Sequence, residues 1–228
     1  MNNKKIIIKF PSRERPKKFR DCLANIIETV SDLDSILILV TVDEDDESMS
    51  WVKNIDKPFV KVIFGKSESK IHAVNRDMNL IDFNWDYLVL MSDDMMFIKP
   101  HWDKEIISKF EDIESPLIIH YPTDLLHGQR IITMPIMNKK FYDYFGYIYE
   151  PSYKSLFCDD EQTFVAKKLN FYKKYELSIA VHLHPIYTNE QFDRLLTVNQ
   201  EENNNDFKNF EYRKIINFGL DEKKTDRI

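Results

Sequence analysis

Short apolar, β-branched runs alternate with helix-like stripes through the first half of this chain, and that alternation leaves few folds open. Strand-like runs cover residues 5–10, 36–42, 59–64 and 87–91. Between them, Phe19, Leu23, Ile26, Ile27 and Val30 recur at helical spacing, as do Ile71, Val74, Met78 and Ile81. Residues 102–110 read as a further helix. Such a pattern argues for an α/β sandwich with a mainly parallel, Rossmann-like central sheet. Right-handed crossovers gather the strand C-terminal ends on one edge, where ligands of open α/β sheets bind. The loops there start at Pro11, Asp43, Gly65 and Ser92.

The second half is less regular. Residues 117–120, 131–137 and 179–183 read as strands, and 138–145 and 161–169 as helices. Beyond residue 188 the chain turns polar, with 200–206 as its most solvated stretch, though Phe207, Phe210, Ile215 and Phe218 are placed to dock a last helix. This divides the chain into a main domain, 1–187, and a polar, helical extension, 188–228. At 228 residues and 43% hydrophobic content, one domain with a full core is expected.

Only four glycines are present, and no two are close. That excludes a G-x-G-x-x-G fingerprint, a phosphate loop and a G-x-S-x-G elbow. Cys22 and Cys158 match no zinc or redox spacing and read as free thiols of a reducing compartment. The start, MNNKKIIIKF, reads as a first strand, and no apolar stretch approaches a membrane span. A soluble, cytoplasmic protein is expected. Its net charge of −6 argues against broad nucleic-acid binding and suits carboxylate sites for a divalent cation.

Ser92-Asp93-Asp94 ends a buried strand in two adjacent carboxylates, which repel unless a cation or hydrogen-bond donors stabilise them. An acidic turn after a strand accounts for the same residues. Asp159-Asp160-Glu161 opens a helix, and capping alone explains acids in a first turn. His182 and His184 alternate along a strand, so they share a face; they are a candidate metal pair or incidental surface residues. For Arg13, Arg15, Lys70 and Arg76, solvated charge is the plain alternative to ligand binding. Residues 147–153 are rich in tyrosine and suit a sugar platform or a core; Trp85 and Trp102 read as packing.

The stretch YLVLMSDDMMFIKPHW, residues 87–102, resembles the metal-binding segment of GT-A-fold glycosyltransferases of the family-2-like group, a D-x-D-type motif followed by a Pro-x-Trp helix start. Ser92 stands where many members carry the first acid. Further segments match in order over residues 4–187. Pro11-Ser12-Arg13-Glu14-Arg15-Pro16 looks like the opening loop, Asp43 like the acid at the nucleoside, and residues 70–76, with Lys70, Asn75 and Arg76, like the segment approaching the nucleotide.

The resemblance implies a GT-A-type α/β/α sandwich, with a nucleotide-sugar half over 1–115 and an acceptor and catalytic half over 116–187. It implies Mn²⁺ or Mg²⁺ on Asp94, with Asp93 and a histidine, His184 in preference to His182. It also implies Asp160 as general base, with Asp159 as the preceding acid and Glu161 as an alternative alignment. Pro11, Ser12, Arg13, Arg15, Asp43, Lys70, Asn75, Arg76, Ser92 and Asp93 would hold the donor. The implied activity is metal-assisted, inverting transfer of a sugar from a nucleotide-sugar, UDP-linked by expectation, to an acceptor hydroxyl. Glycan, lipid-linked sugar, protein and modified nucleobase are all open as acceptors. The alternatives are a nucleotidyltransferase acting on a sugar phosphate and a non-catalytic sugar- or partner-binding module.

Overall fold

The computed structural model describes residues 4–124, 127–183 and 194–221. The element order is β1 (Ile6–Ser12), α1 (Pro16–Thr29), β2 (Ile36–Asp43), β3 (Val60–Gly65), α2 (Lys70–Asn75), β4 (Tyr87–Leu90), β5 (Met95–Phe97) and α3 (Trp102–Phe110). There follow β6 (Ile118–His120), β7 (Ile136–Asn138), α4 (Lys139–Phe145), α5 (Cys158–Lys168), β8 (Tyr172–Lys174) and β9 (Ala180–His182). The helices α6 (Arg194–Glu201) and α7 (Asn203–Ile215) follow.

Seven strands form one sheet in the order β3-β2-β1-β4-β7-β6-β8. The first four are mutually parallel; β7 runs antiparallel to β4 and β6, and β6 is parallel to β8. Because β1 lies between β2 and β4, the strand order reverses there. The loops leaving β1 and β4 open a crevice, the switch point at which α/β sheets bind ligands.

Both faces of the sheet are covered, and the strand alternation decides which residue goes where. Ile6, Ile8 and Phe10 join Ile38 and Val40 against Phe19 and Ile26 of α1 and Trp102 and Ile106 of α3. Ile7, Leu37, Leu39, Leu88 and Leu90 pack with Ile71, Val74, Phe141 and Tyr153 on the other side. Each such side chain taken out of water contributes about 1.5–3 kcal/mol. The Pro-x-Trp start of α3 is packing, as expected: Trp102 stacks on Phe97 with ring centroids 4.0 Å apart, and its indole N–H donates to Thr29 Oγ1 at 3.1 Å.

Several expectations need correction. The stripe Ile71–Ile81 is not one helix, because α2 stops at Asn75. Arg76 is extended, Asp77 takes φ 76°, and a 3-10 turn over Met78–Leu80 returns Met78 to the core. The break is driven by Asp77, which turns inward to accept from Thr41 Oγ1 at 2.7 Å and from Arg76 at 3.1 Å. The strand read over 131–137 shrinks to Ile136–Asn138, and β5 and β8, three residues each, were not visible in the pattern. The polar stretch before residue 207 is not solvated throughout, since Asp206 is 2% exposed and buried against the main body. Among the described residues, no helix is long and apolar enough to cross a membrane.

Candidate active site

A cleft of about 840 Å³ opens at the C-terminal ends of β1, β2 and β4. Five loops and helix starts feed it. Pro11, Ser12, Arg13 and Arg15 come from the end of β1, Asp43 from the end of β2, and Lys70 from the start of α2. Ser92, Asp93 and Asp94 follow β4, and Asp159 and Asp160 open α5. The cleft therefore gathers residues that lie as far as 192 positions apart (11 to 203).

The carboxylates after β4 are buried and have different partners. Asp93 accepts from Ser12 Oγ at 2.9 Å and from Arg15 Nη1 at 2.9 Å, which ties the two loops across the crevice. Burial pushes the Asp93 pKa up to about 6, and the neighbouring Asp94 charge adds to this against the pull of Arg15. Asp94 has His182 Nε2 at 3.4 Å and Arg15 Nη1 at 3.9 Å from its Oδ2. Burial alone would raise its pKa, but His182, Ser92 and Arg15 together hold it well below the usual carboxylate range. Its other oxygen, Oδ1, is buried with no hydrogen-bond partner.

At the far wall, α5 starts from Phe157 in the left-handed region at φ 63°. Asp159 Oδ1 accepts the Asp160 amide at 3.1 Å in the first turn, and both residues line the cleft. Burial raises the pKa of both; Asp160 reaches about 6, helped by the Asp159 charge and opposed by Arg130 and His127. Glu161 has another task. It is 4% exposed, accepts Tyr153 Oη at 2.7 Å, and takes the Arg213 guanidinium on both oxygens at 2.6 and 2.7 Å.

Two expected donor-binding residues do not line the cleft. Asn75 donates to Tyr149 O at 2.7 Å and accepts from the Ile148 and Tyr149 amides at 2.9 and 3.1 Å, so its amide is a bracket between α2 and the 148–149 segment. Arg76 donates to Ser67, Asp77, Val42 O and Gly65 O, and fastens the ends of β2 and β3. A Cβ at Gly65 would lie 2.7 Å from Arg76 Nη1, so the guanidinium would have to move aside. His184 lies outside the described residues, whereas His182 is at Asp94.

Asp43 Oδ2 accepts Arg13 Nη1 at 2.6 Å, while its buried Oδ1 accepts no hydrogen bond. Beneath it, the fully buried Lys9 donates to Thr41 and to Arg76 O, with Asp77 Oδ2 at 3.9 Å. Sequence reasoning missed Lys9, whose one signal is a charge inside IIIKF, and gave His182 second place to His184. Nothing in the sequence marked Asp206 or Arg213.

Among the described residues, no three His, Cys, Asp or Glu side chains form a ready metal cage. A small hard cation nonetheless needs only one or two carboxylates when substrate phosphates supply the rest. The unpartnered Asp94 Oδ1 fits that demand, since an orphaned buried acceptor costs about 1–3 kcal/mol until a partner arrives. Asp93 fits it less well, with both oxygens already engaged.

Sheet order, switch point and acidic strand end together belong to a GT-A-type α/β fold, and the comparisons agree. No family model matches the chain, and no curated protein does. Among solved structures, the mannosyltransferase PcManGT from Pyrobaculum calidifontis, in complex with GDP-Man and Mn²⁺, matches with a TM-score of 0.61 at 12% identity over 78% of this chain. TarS 1-349 of S. aureus matches with 0.58 at 14% identity over 79%. The 4-diphosphocytidyl-2C-methyl-D-erythritol synthase of Anaerococcus prevotii matches with 0.51 at 11% over 77% of this chain and 88% of its own. The match spans 56% of the mannosyltransferase and 61% of the TarS chain. At such identities the likeness carries the fold.

Proposed function

We propose that the protein is a metal-dependent glycosyltransferase that moves a sugar from a nucleotide-sugar, a UDP-sugar by preference, to an acceptor hydroxyl with inversion. The observation that carries this reading is one cleft with two separate acidic sites: Asp94 with an unpartnered buried oxygen on one wall, and Asp159–Asp160 on the other. The neighbours' fold, one of them a mannosyltransferase in complex with GDP-Man and Mn²⁺, supports it.

In this reading Asp94 would hold the cation, and His182, 3.4 Å away, orients its carboxylate. A bound divalent cation neutralises charge on the departing diphosphate. Lys70, Arg13 and Arg15 add positive charge on the donor side, and Asp43 Oδ1 offers an acceptor to the nucleoside. Asp160 takes the acceptor proton. The acceptor oxygen then bonds to the anomeric carbon as the bond from that carbon to the diphosphate oxygen breaks. With a pKa of about 6, Asp160 is ionised at neutral pH yet remains a stronger base than an ordinary aspartate.

Incubation with nucleotide-sugars and Mn²⁺, followed by assay of free nucleoside diphosphate, tests the reading. Asp94→Ala is expected to abolish Mn²⁺-dependent UDP binding by calorimetry. Asp160→Asn is expected to spare binding and slow transfer by about 10²–10⁴-fold; undiminished transfer removes Asp160 as base. The nucleotidyltransferase alternative draws on the match along 88% of the synthase. It predicts pyrophosphate release from a nucleoside triphosphate and a sugar phosphate, and it has to manage without a glycine between Pro11 and Arg15. Donor binding with no turnover of either kind would leave the binding-module reading.

A further inference from the structure

The α7 helix grips the catalytic wall at three places. The Asp206 carboxylate, 2% exposed, accepts three consecutive backbone amides, those of Lys154, Ser155 and Leu156, at 2.9, 2.8 and 2.7 Å. Phe207, the next residue, and Phe210, one turn on, place their rings 5.6 and 5.7 Å from that of Phe157. Arg213 then takes Glu161 in a bidentate pair. The gripped positions, 154–157 and 161, bracket Asp159 and Asp160 on both sides. The cleft-lining segment is further tied to the donor side, since Lys154 O accepts the Ile71 amide at 3.1 Å, next to Lys70.

This arrangement has a cost that needs a reason. Phe157 sits at φ 63°, where a bulky side chain is strained by about 1–3 kcal/mol, and such strain persists only where the surroundings over-determine it. A carboxylate buried on three amides needs all three to offset its desolvation. Neither device is required merely to end a chain, but both fix the path by which the backbone enters α5.

We infer that α7 is a positioning element of the active site, with Asp206 its principal positioning residue. By holding the backbone of 154–156, Asp206 sets the place of Asp160 relative to the donor. The role of Asp160 here rests on the glycosyltransferase reading; the clamp itself does not.

Asp206→Asn keeps the shape but presents an N–H₂ group where an acceptor is needed. Hydrogen exchange of the 154–156 amides is expected to quicken by at least about tenfold. In the transfer assay, kcat is expected to fall by at least about tenfold, with the donor KM and Mn²⁺-dependent UDP affinity changed less than about twofold. Unchanged exchange at 154–156 overturns the clamp. Faster exchange with unchanged kcat overturns the positioning role, as does a parallel loss of UDP binding and kcat. Should Asp206→Asn fail to fold, Phe207→Ala, which loosens the packing on Phe157 from a half-exposed position, takes its place with the same expected readings. If the wild-type protein transfers no sugar, the exchange result still decides the clamp while the glycosyltransferase reading falls by itself.

Discussion

As the proposed base, Asp160 can act only once its own proton is gone, and its surroundings place that event near pH 6. The transfer rate is therefore expected to rise with pH through about 6 and then level, measured as kcat against pH at saturating donor. The same shift has the opposite sign for stability. A carboxyl whose folded pKa is raised from 3.8 to about 6 stabilises the fold only while protonated, and that contribution is lost as pH climbs between those values. At neutral pH Asp160→Asn removes the penalty. It is expected to raise the unfolding free energy by about 1–2 kcal/mol, allowing for the partial exposure of the group, while it slows transfer. Urea titration at pH 7.5 and pH 4 checks this, with the gain present at the first and absent at the second. At this scale the sequence was legible where strand ends and a helix start carry adjacent acids, as at Asp93–Asp94 and Asp159–Asp160. It was not legible at Asn75 and Arg76, because a polar residue that faces a ligand and one that braces a loop look the same before the loop is seen.

Elements around the cleft depend on a few positions with no slack. Gly128, in the 3-10 turn His127–Gln129, sits where a Cβ would be 2.6 Å from Thr123 Oγ1 and 2.9 Å from Thr123 N. That turn is held by the Asp124 carboxylate on the Gly128 amide at 2.9 Å and by His120 Nε2 beside Gly128 O at 2.7 Å. Gly128→Ala is expected to cost about 1–3 kcal/mol in thermal unfolding, because the turn has to shift. Lys9→Met is expected to cost about 1–3 kcal/mol, since it leaves Arg76 O without its buried donor, while Asp77 keeps Thr41 and Arg76. The strands β1 to β4 were readable because each is an apolar run long enough to show. The strands β5 and β8 were not: three residues in a strand carry no period, and what makes them strands is the partner across the ladder. The break of α2 was hidden for a related reason. The 3-10 turn returns Met78 to the core, so the apolar spacing continues over a helix that has ended.

For the molecule as a whole, a ligand that binds only the folded state raises stability by mass action. UDP with Mn²⁺ at about 100 times its Kd is expected to add about 2.7 kcal/mol, seen as a rise in unfolding temperature. UDP without the metal is expected to add much less, and Asp94→Ala is expected to remove the difference. The layered α/β plan was legible from alternation alone. The union of α7 with the main body was not, because its contacts join residues about fifty positions apart (Asp206 with 154–156, Arg213 with Glu161) through a stretch whose composition reads as solvated.

That union also sets an order of events on the ribosome. The strands of the donor wall leave first and can pair among themselves, since β1 to β4 are complete by Leu90. The contacts of Asp206 and Arg213 with residues 154–156 and 161 can form only once α7 has emerged. During synthesis the growing chain thus passes through an interval in which β1 to β4 are complete and the segment around Asp160 is not yet held by α7.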